Sequence, residues 1–339
     1  MLTSKLACGP MSEEIIEAVF RYSQSTGKQL MLICSRNQVD QNDGYVFTTE
    51  EYAWYITQMR SEFPGADVII CRDHCGPGFG SEKLCGLGTT KDTIKCDLEN
   101  GFDLIHIDLC HLRPPDDARV SAHNYRLGKT LELMQFALSI KPDVMFEIGT
   151  DENVGVAEEN VDRIMSDIRA CQSVANPVFY VVQTGSLIYE IGQVGSFDSE
   201  KVQMMHKALC GLGTKLKEHN ADYLSAEQIA SRRGLVDAVN IAPQLGVVQT
   251  SYVLSQALIY GIDIKPFVDA VVNGRRWEKW VPSSGNPQSM LICLAAGHYH
   301  FCGIAYRELV DRLSGEIDVK EGIISEITRV LEHYSSRLE

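Results

Sequence analysis

Asp73 and His74 stand side by side after the apolar run VIIC and before the glycine-rich turn CGPGFG. An imidazole so placed can bind a metal ion, while the adjacent carboxylate holds or moves a proton. Such a pair also arises for purely structural reasons, so its meaning depends on partners. Glu147 ends the run VMFE, and a carboxylate at a buried strand end needs a cation or hydrogen bonds. His219 ends KLKEH, where polar Lys217 and Glu218 leave a satisfied surface histidine as the competing reading. Brought together, His74, Glu147 and His219 make a two-histidine, one-carboxylate set with positions open to water or substrate. Asp108 follows His106 by two residues. Strand alternation turns both the same way, making Asp108 an outer carboxylate or a second ligand.

Other polar residues end apolar runs or follow them. Gln183 ends VFYVVQ, Asn240 ends DAVN, and Ser35 ends LMLICS. Ser35, Asn37, Gln38, Gln41 and Tyr45 form an unusually polar stretch, with amide donors and acceptors suited to sugar hydroxyls. A hydrogen-bonded turn is the alternative. Gly76, Gly78 and Gly80 lack the helix start of a dinucleotide fingerprint, and no GxSxG, P-loop or cysteine nucleophile with a dedicated base is present. His298 and His300, in an apolar helical setting, read as packing.

The elements that must position these residues have a regular order. Runs ending near positions 8, 34, 71, 107, 147, 182, 218 and 240 alternate with helical patterns. Their spacing of roughly 35 residues suits β–loop–α–loop units. Apolar runs of this length fit strands of a parallel sheet buried on both faces, and polar residues at their carboxyl ends are where a (β/α)₈ barrel builds its active site. The fold expected is therefore an α/β (β/α)₈ barrel over residues 1–262, with a helical extension over 263–339 packed on it. Helices are expected over Asn124–Ile140, Glu158–Ala175, Asp198–Lys217 and Val247–Tyr260, among others, with caps at Ser12 and Thr49. Gly274–Gln288, rich in Trp, Pro and Gly, reads as a long loop over a pocket, at a subunit interface, or simply on the surface.

Composition narrows the function. A net charge of −14 supplies no basic face for nucleic acid. The densest basic cluster, Arg275, Arg276 and Lys279, is interleaved with Trp277 and Trp280. Eleven cysteines without regular spacing do not form a secreted disulfide framework. With neither a basic-then-apolar leader nor a membrane-length apolar run, the expected setting is the cytoplasm, away from membranes.

The order DH, HID, EIG, QTG, H and VNIAP resembles the class II, metal-dependent fructose/tagatose-bisphosphate aldolases. SRNQVDQNDGY, RDHCGPGFG, EHNADY and VNIAPQLG are more similar still to the tagatose-bisphosphate aldolase subunit usually called non-catalytic. That branch has also been labelled tagatose 6-phosphate kinase, although no ATP-binding signature is present. The resemblance covers roughly residues 5–260. It implies a zinc or other divalent cofactor, Asp73 as acid/base, His74 and His219 as ligands, Glu147 near the metal, and Asp108 and Asn240 at the substrate. Three departures stand out. The middle zinc histidine is replaced by Gln183, the glycine-rich phosphate loop by Asn220-Ala221-Asp222, and the later phosphate contacts by Ala242 and Pro243. Backbone N–H groups of glycine loops cradle phosphate. The expected ligand set is thus His74, Glu147 and His219, with Asp73 and Asn240 catalytic. Ser35, Asn37, Gln38, Gln41, Asp108, Gln183 and Asp222 are expected to line the substrate site. The expected partners are a small-molecule sugar phosphate and further copies of the chain. The expected activity is aldol cleavage or formation of a ketose phosphate. A stabilising subunit for a separate aldolase and a metal-dependent sugar epimerase or isomerase are the alternatives.

Overall fold

A computed structural model describes residues 2–41, 44–80, 86–116, 119–150, 160–281 and 287–338. Eight parallel strands close into a barrel: β1 Leu6–Cys8, β2 Leu30–Ser35, β3 Val68–Cys75, β4 Leu104–Ile107, β5 Met145–Gly149, β6 Phe179–Val182, β7 Lys215–Glu218 and β8 Ala238–Ile241. Each neighbours the next in chain order, and β8 pairs with β1 through Ala7 opposite Asn240. The chain is a (β/α)₈ barrel with additional C-terminal helices.

Alternation along the strands sorts two cores. Ala7, Met31, Ile33, Cys71, Leu104, Phe179 and Ala238 fill the barrel interior, whereas Leu32, Ile70, Ile105 and Val239 face the surrounding helices. Burying an aliphatic side chain of this size stabilises by about 1.5–3 kcal/mol, so the outer layer is held by its helix–sheet interface. Those helices are α1 Glu13–Thr26, α2 Thr49–Glu62, α3 Leu87–Glu99, α4 Ala122–Ile140, α5 Val161–Gln172, α6 Ser199–Cys210, α7 Ala226–Ala230 and α8 Pro243–Ile259.

Ser12 caps α1, as its sequence suggests, while α2 is capped one residue earlier than expected, by Thr48 in a reciprocal box with Glu51. Helix α6 stops at Cys210, seven residues short of the expected Lys217, because Gly211 and Gly213 follow and Lys215 already pairs with Phe179. The expected start of the fifth helix at Glu158, and Pro282 and Gly285 of the expected long loop, lie outside the described residues.

Beyond the barrel come α9 Lys265–Gly274, a 3₁₀ turn Arg276–Lys279, α10 Ser289–Ala296, α11 Ile304–Ser314 and α12 Val319–Ser335. Helix α12 lies against α1 and α8, and its Ile323, Ile327 and Leu331 join the core of the outer layer. No helix among the described residues is long and apolar enough to cross a membrane.

Candidate functional site

Above the apolar floor of the barrel lies a polar layer. Register sets His106 on β4 opposite Glu147 on β5. Lys217 on β7 points into the barrel too, and its Nζ is 2.5 Å from Glu147 Oε2. Glu147 Oε1 accepts from His219 Nε2 at 2.8 Å. Burial opposes ionisation of Glu147, but Lys217, His106 and His219 together hold its carboxyl down at about 2. The carboxylate is thus engaged on both oxygens and fixes the ring of His219 from behind.

The mouth owes its shape to a bulge. The β3–β4 register shifts between Arg72 and Cys75, and His74 takes φ of 44°, in the left-handed region. Simple alternation would put consecutive residues on opposite faces; the bulge re-aims one of them. Asp73 and His74 therefore both reach the barrel mouth. Next to them, a Cβ on Gly76 would lie 1.7 Å from the Asp108 carbonyl oxygen, so the turn can cross the end of β4 only as glycine.

Three imidazoles converge there. The rings of His74, His106 and His219 lie 5.0 to 5.2 Å apart, centre to centre. Ligand atoms of Asp73, His74, His106 and His219 all lie within 4.8 Å of one another. His74 Nδ1 is 2.7 Å from Asp108 Oδ2, which also accepts from the Thr150 hydroxyl. His106 Nε2 faces the Gly149 carbonyl at 2.9 Å, while its Nδ1 receives the His74 backbone N–H and lies 3.3 Å from Asp73 Oδ1. Each ring thus has one nitrogen set by an oxygen partner, the arrangement that orients histidine ligands.

Burial alone would neutralise Asp73, yet His74, His219 and His106 hold its carboxyl well below the usual range. Burial likewise opposes the His74 imidazolium, but Asp73 and Asp108 outweigh it and raise its pKa to about 9. His219 goes the other way, pushed down to about 4 by burial despite Asp73 and Glu147. Three nitrogens and a carboxylate in one partly buried cluster fit a zinc-like divalent cation. Asn240 sits on β8 with its side-chain nitrogen and oxygen buried and unpartnered. A buried amide without a partner costs free energy, and alternation turns Asn240 to the same interior face as Ala238. Both observations suit a metal and a polar ligand in the mouth.

The other expected site residues divide. Gln38 is buried, and its Oε1 accepts from the Ser35 backbone N–H and hydroxyl, so it closes the turn after β2. Asn37 is exposed, and Gln41 is half-buried with its backbone N–H on Asp40. Gln183 lines a cavity of about 380 Å³ with Asp108, Thr150, Arg126 and Tyr180. Asp222 is buried, and its Oδ1 accepts the backbone N–H groups of Ala242 and Gln244 at 2.9 and 2.8 Å. It caps the first turn of α8, and burial pushes its carboxyl up to about 7 against those two hydrogen bonds.

Two residues of the cluster escaped their sequence roles. His106 was legible only as the neighbour of Asp108, although the HID alternation carried the signal. Lys217 read as a mark of exposure, whereas it is wholly buried with Glu147.

No protein-family model matches the chain. By structure it is similar to a probable tagatose 6 phosphate kinase from Sinorhizobium meliloti 1021, with a TM-score of 0.80 and 16% identity over 98% of this chain and 100% of that one. It is also similar to the fructose-bisphosphate aldolase of Campylobacter jejuni, at 0.60 and 11% identity over 99% and 92% of the two chains. The YdjI aldolase of Escherichia coli K12 matches at 0.52 and 11% identity over 92% and 90%. At these identities the likeness establishes a shared fold, with aldolases among the proteins that have it.

Proposed function

We propose that the chain is a divalent-metal-dependent carbon–carbon lyase of the class II aldolase type, acting on a ketose phosphate in the cytoplasm. The observation that carries this reading is the convergence of Asp73, His74, His106 and His219 at the barrel mouth. His74, His106 and His219 are the residues that would hold the cation, with His106 supplying the imidazole absent at Gln183. When bound, the cation supplies Lewis-acid polarisation of a ketone oxygen. Asp73 takes the hydroxyl proton of the carbinol whose carbon–carbon bond breaks and returns it in the condensation direction. Its depressed pKa keeps it ionised, the form a base requires. Asn240 offers its unpartnered amide to substrate oxygens. Asp108 and Glu147 hold the rings of His74 and His219 in register with the reacting atoms.

Metal analysis beside an aldol-cleavage assay over a panel of ketose phosphates tests the reading. About one equivalent of tightly held metal is expected, lost with turnover in His74→Ala and His106→Ala and kept in Gln183→Ala. A wild-type chain without metal, or metal retained in His106→Ala, overturns it.

A second reading, a stabilising subunit for a separate tagatose-bisphosphate aldolase, draws on Asp222. The loops after strands seven and eight and a nearby helix end commonly hold phosphate in this fold. Here the chain's own carboxylate occupies the N–H groups at the start of α8. Stabilisation of a partner aldolase by a chain with no turnover of its own would favour that reading.

A further inference from the structure

The segment after α9 carries a guanidinium that no acid among the described residues neutralises. Arg275 is ion-paired to Glu278, whereas Arg276 has no acidic partner among the described residues. Instead it lies 5.4 Å from the ring centre of Tyr45 and 5.3 Å from that of Tyr299. Those rings meet edge-on at 5.1 Å. A cation–π setting of this kind holds the guanidinium without cancelling its charge and leaves N–H donors for an oxyanion.

The position of this group relative to the mouth follows from its neighbours. The backbone N–H groups of Tyr45 and Val46 donate to the Asn37 and Gln38 carbonyls, and the Gln38 side chain in turn holds Ser35 at the end of β2. At the other end of the segment, Trp280 and Val281 pack on Ile188 in the loop after β6, and the Glu190 N–H donates to the Trp280 carbonyl. Residues 276–281 therefore bridge the loops after β2 and β6, at the carboxyl ends of the strands. Tyr223, in the loop after β7, packs with Trp280 and has a buried hydroxyl without a partner. His298 is 1% exposed, its ring 6.4 Å from Tyr45, and its Nδ1 is also unpartnered. Lys279 lies over the Trp280 ring in the same turn, a second cation. Meanwhile the fold's usual anion cradle is filled by Asp222.

We propose that Arg276, supported by Lys279 and held between Tyr45 and Tyr299, binds the phosphate monoester of the substrate at the rim of the barrel mouth. This rests on the sugar-phosphate reading above and moves the phosphate grip from the β7–β8 loops to the C-terminal extension.

Isothermal titration of the full-length chain with inorganic phosphate tests it, using wild type, Arg276→Gln, Arg276→Lys and Arg275→Gln. Saturable, salt-sensitive binding is expected in wild type. Arg276→Gln should weaken it roughly tenfold or more, the loss of a charge-assisted hydrogen bond to phosphate. Arg276→Lys should fall between, since it keeps the charge without the fork. Arg275→Gln should bind as wild type does, with equal metal content in all four. No saturable phosphate binding, unchanged affinity in Arg276→Gln, or a preference for glycerate over phosphate overturns the proposal. Phosphate binding through Arg276 in a chain that cleaves no ketose phosphate would instead sink the lyase reading and leave this site standing. Ketose phosphate cleavage whose KM is indifferent to Arg276→Gln would do the reverse.

Discussion

Replacing Lys217 by methionine should expose how the polar layer of the barrel is balanced. Lys217 and Glu147 are both essentially without solvent exposure, and their charged atoms are 2.5 Å apart. Methionine keeps most of the side-chain volume and leaves Glu147 with a buried charge opposed only by histidines. The folded-state pKa of Glu147, lowered from 4.5 to about 2, corresponds to about 3 kcal/mol of favourable interaction. Breaking a buried pair by removing one partner typically costs about 3–5 kcal/mol, so the two routes agree on the order. For a chain of this length that loss lowers the melting temperature by about 4–7 °C. The pH dependence carries the sign. In wild type Glu147 holds fewer protons folded than unfolded, so its contribution is full above pH 4.5 and is lost as pH falls toward 2. In Lys217→Met the folded-state pKa should rise above 4.5, so the variant should lose stability as pH rises from 5 to 8. Adding Glu147→Gln should recover much of the loss, since a pair removed together leaves no orphan charge. Thermal melts of the four members of this cycle at pH 5 and 8 measure the coupling. A Lys217→Met protein that melts with wild type at both pH values would refute the argument that this pair holds the layer.

Two further outcomes follow from the same geometry. Asp73→Asn keeps the shape of the side chain but removes the base, so turnover should fall by about 10²–10⁴-fold while metal content, read by elemental analysis, is unchanged; lost metal would make Asp73 a ligand rather than the acid/base. Asp222 is protonated more readily folded than unfolded, with its pKa raised from 3.8 to about 7, so this group withdraws up to about 4 kcal/mol as pH rises through that window. Asp222→Asn keeps an oxygen for the two N–H groups and should abolish that decline, and parallel pH–melting profiles for the two proteins would contradict it.

The parts of this architecture that were legible in the sequence are those where alternation is undisturbed. VIIC and VFYVV are almost wholly apolar and LIHI is broken only by His106, so strand, helix-facing side and barrel-facing side follow from composition and order. β7 was hard to read for a physical reason. In KLKE, Lys217 points inward to Glu147 while Glu218 points outward to Arg232 and Thr184, and all are buried. Polar residues on both faces look like solvent exposure in a sequence, because the partners that satisfy them lie 70, 14 and 34 positions away. The helix boundary at Lys217 failed from the same cause. Adjacent Asp73 and His74 could be flagged as a pair, but their shared orientation depends on a bulge, and bulges leave no pattern in a single strand.

The treatment of anions ties these pieces together. A barrel acting on a phosphorylated sugar needs positive potential at its mouth, yet this chain is acidic overall. The helix end that could supply it is closed by Asp222, whose carboxylate, once ionised, would repel a phosphate brought to the same N–H groups. Lys217 is spent on Glu147, and Arg72 and Arg232 are spent on Asp97 and Glu218 behind the strands. These cations neutralise the protein's own buried acids and have no charge left to offer a ligand. Arg276 and Lys279 differ because, among the described residues, aromatic faces and not carboxylates hold them. An aromatic ring positions a cation without cancelling its charge. That distinction, more than the number of basic residues, suits the C-terminal turn to recognise an oxyanion at the rim.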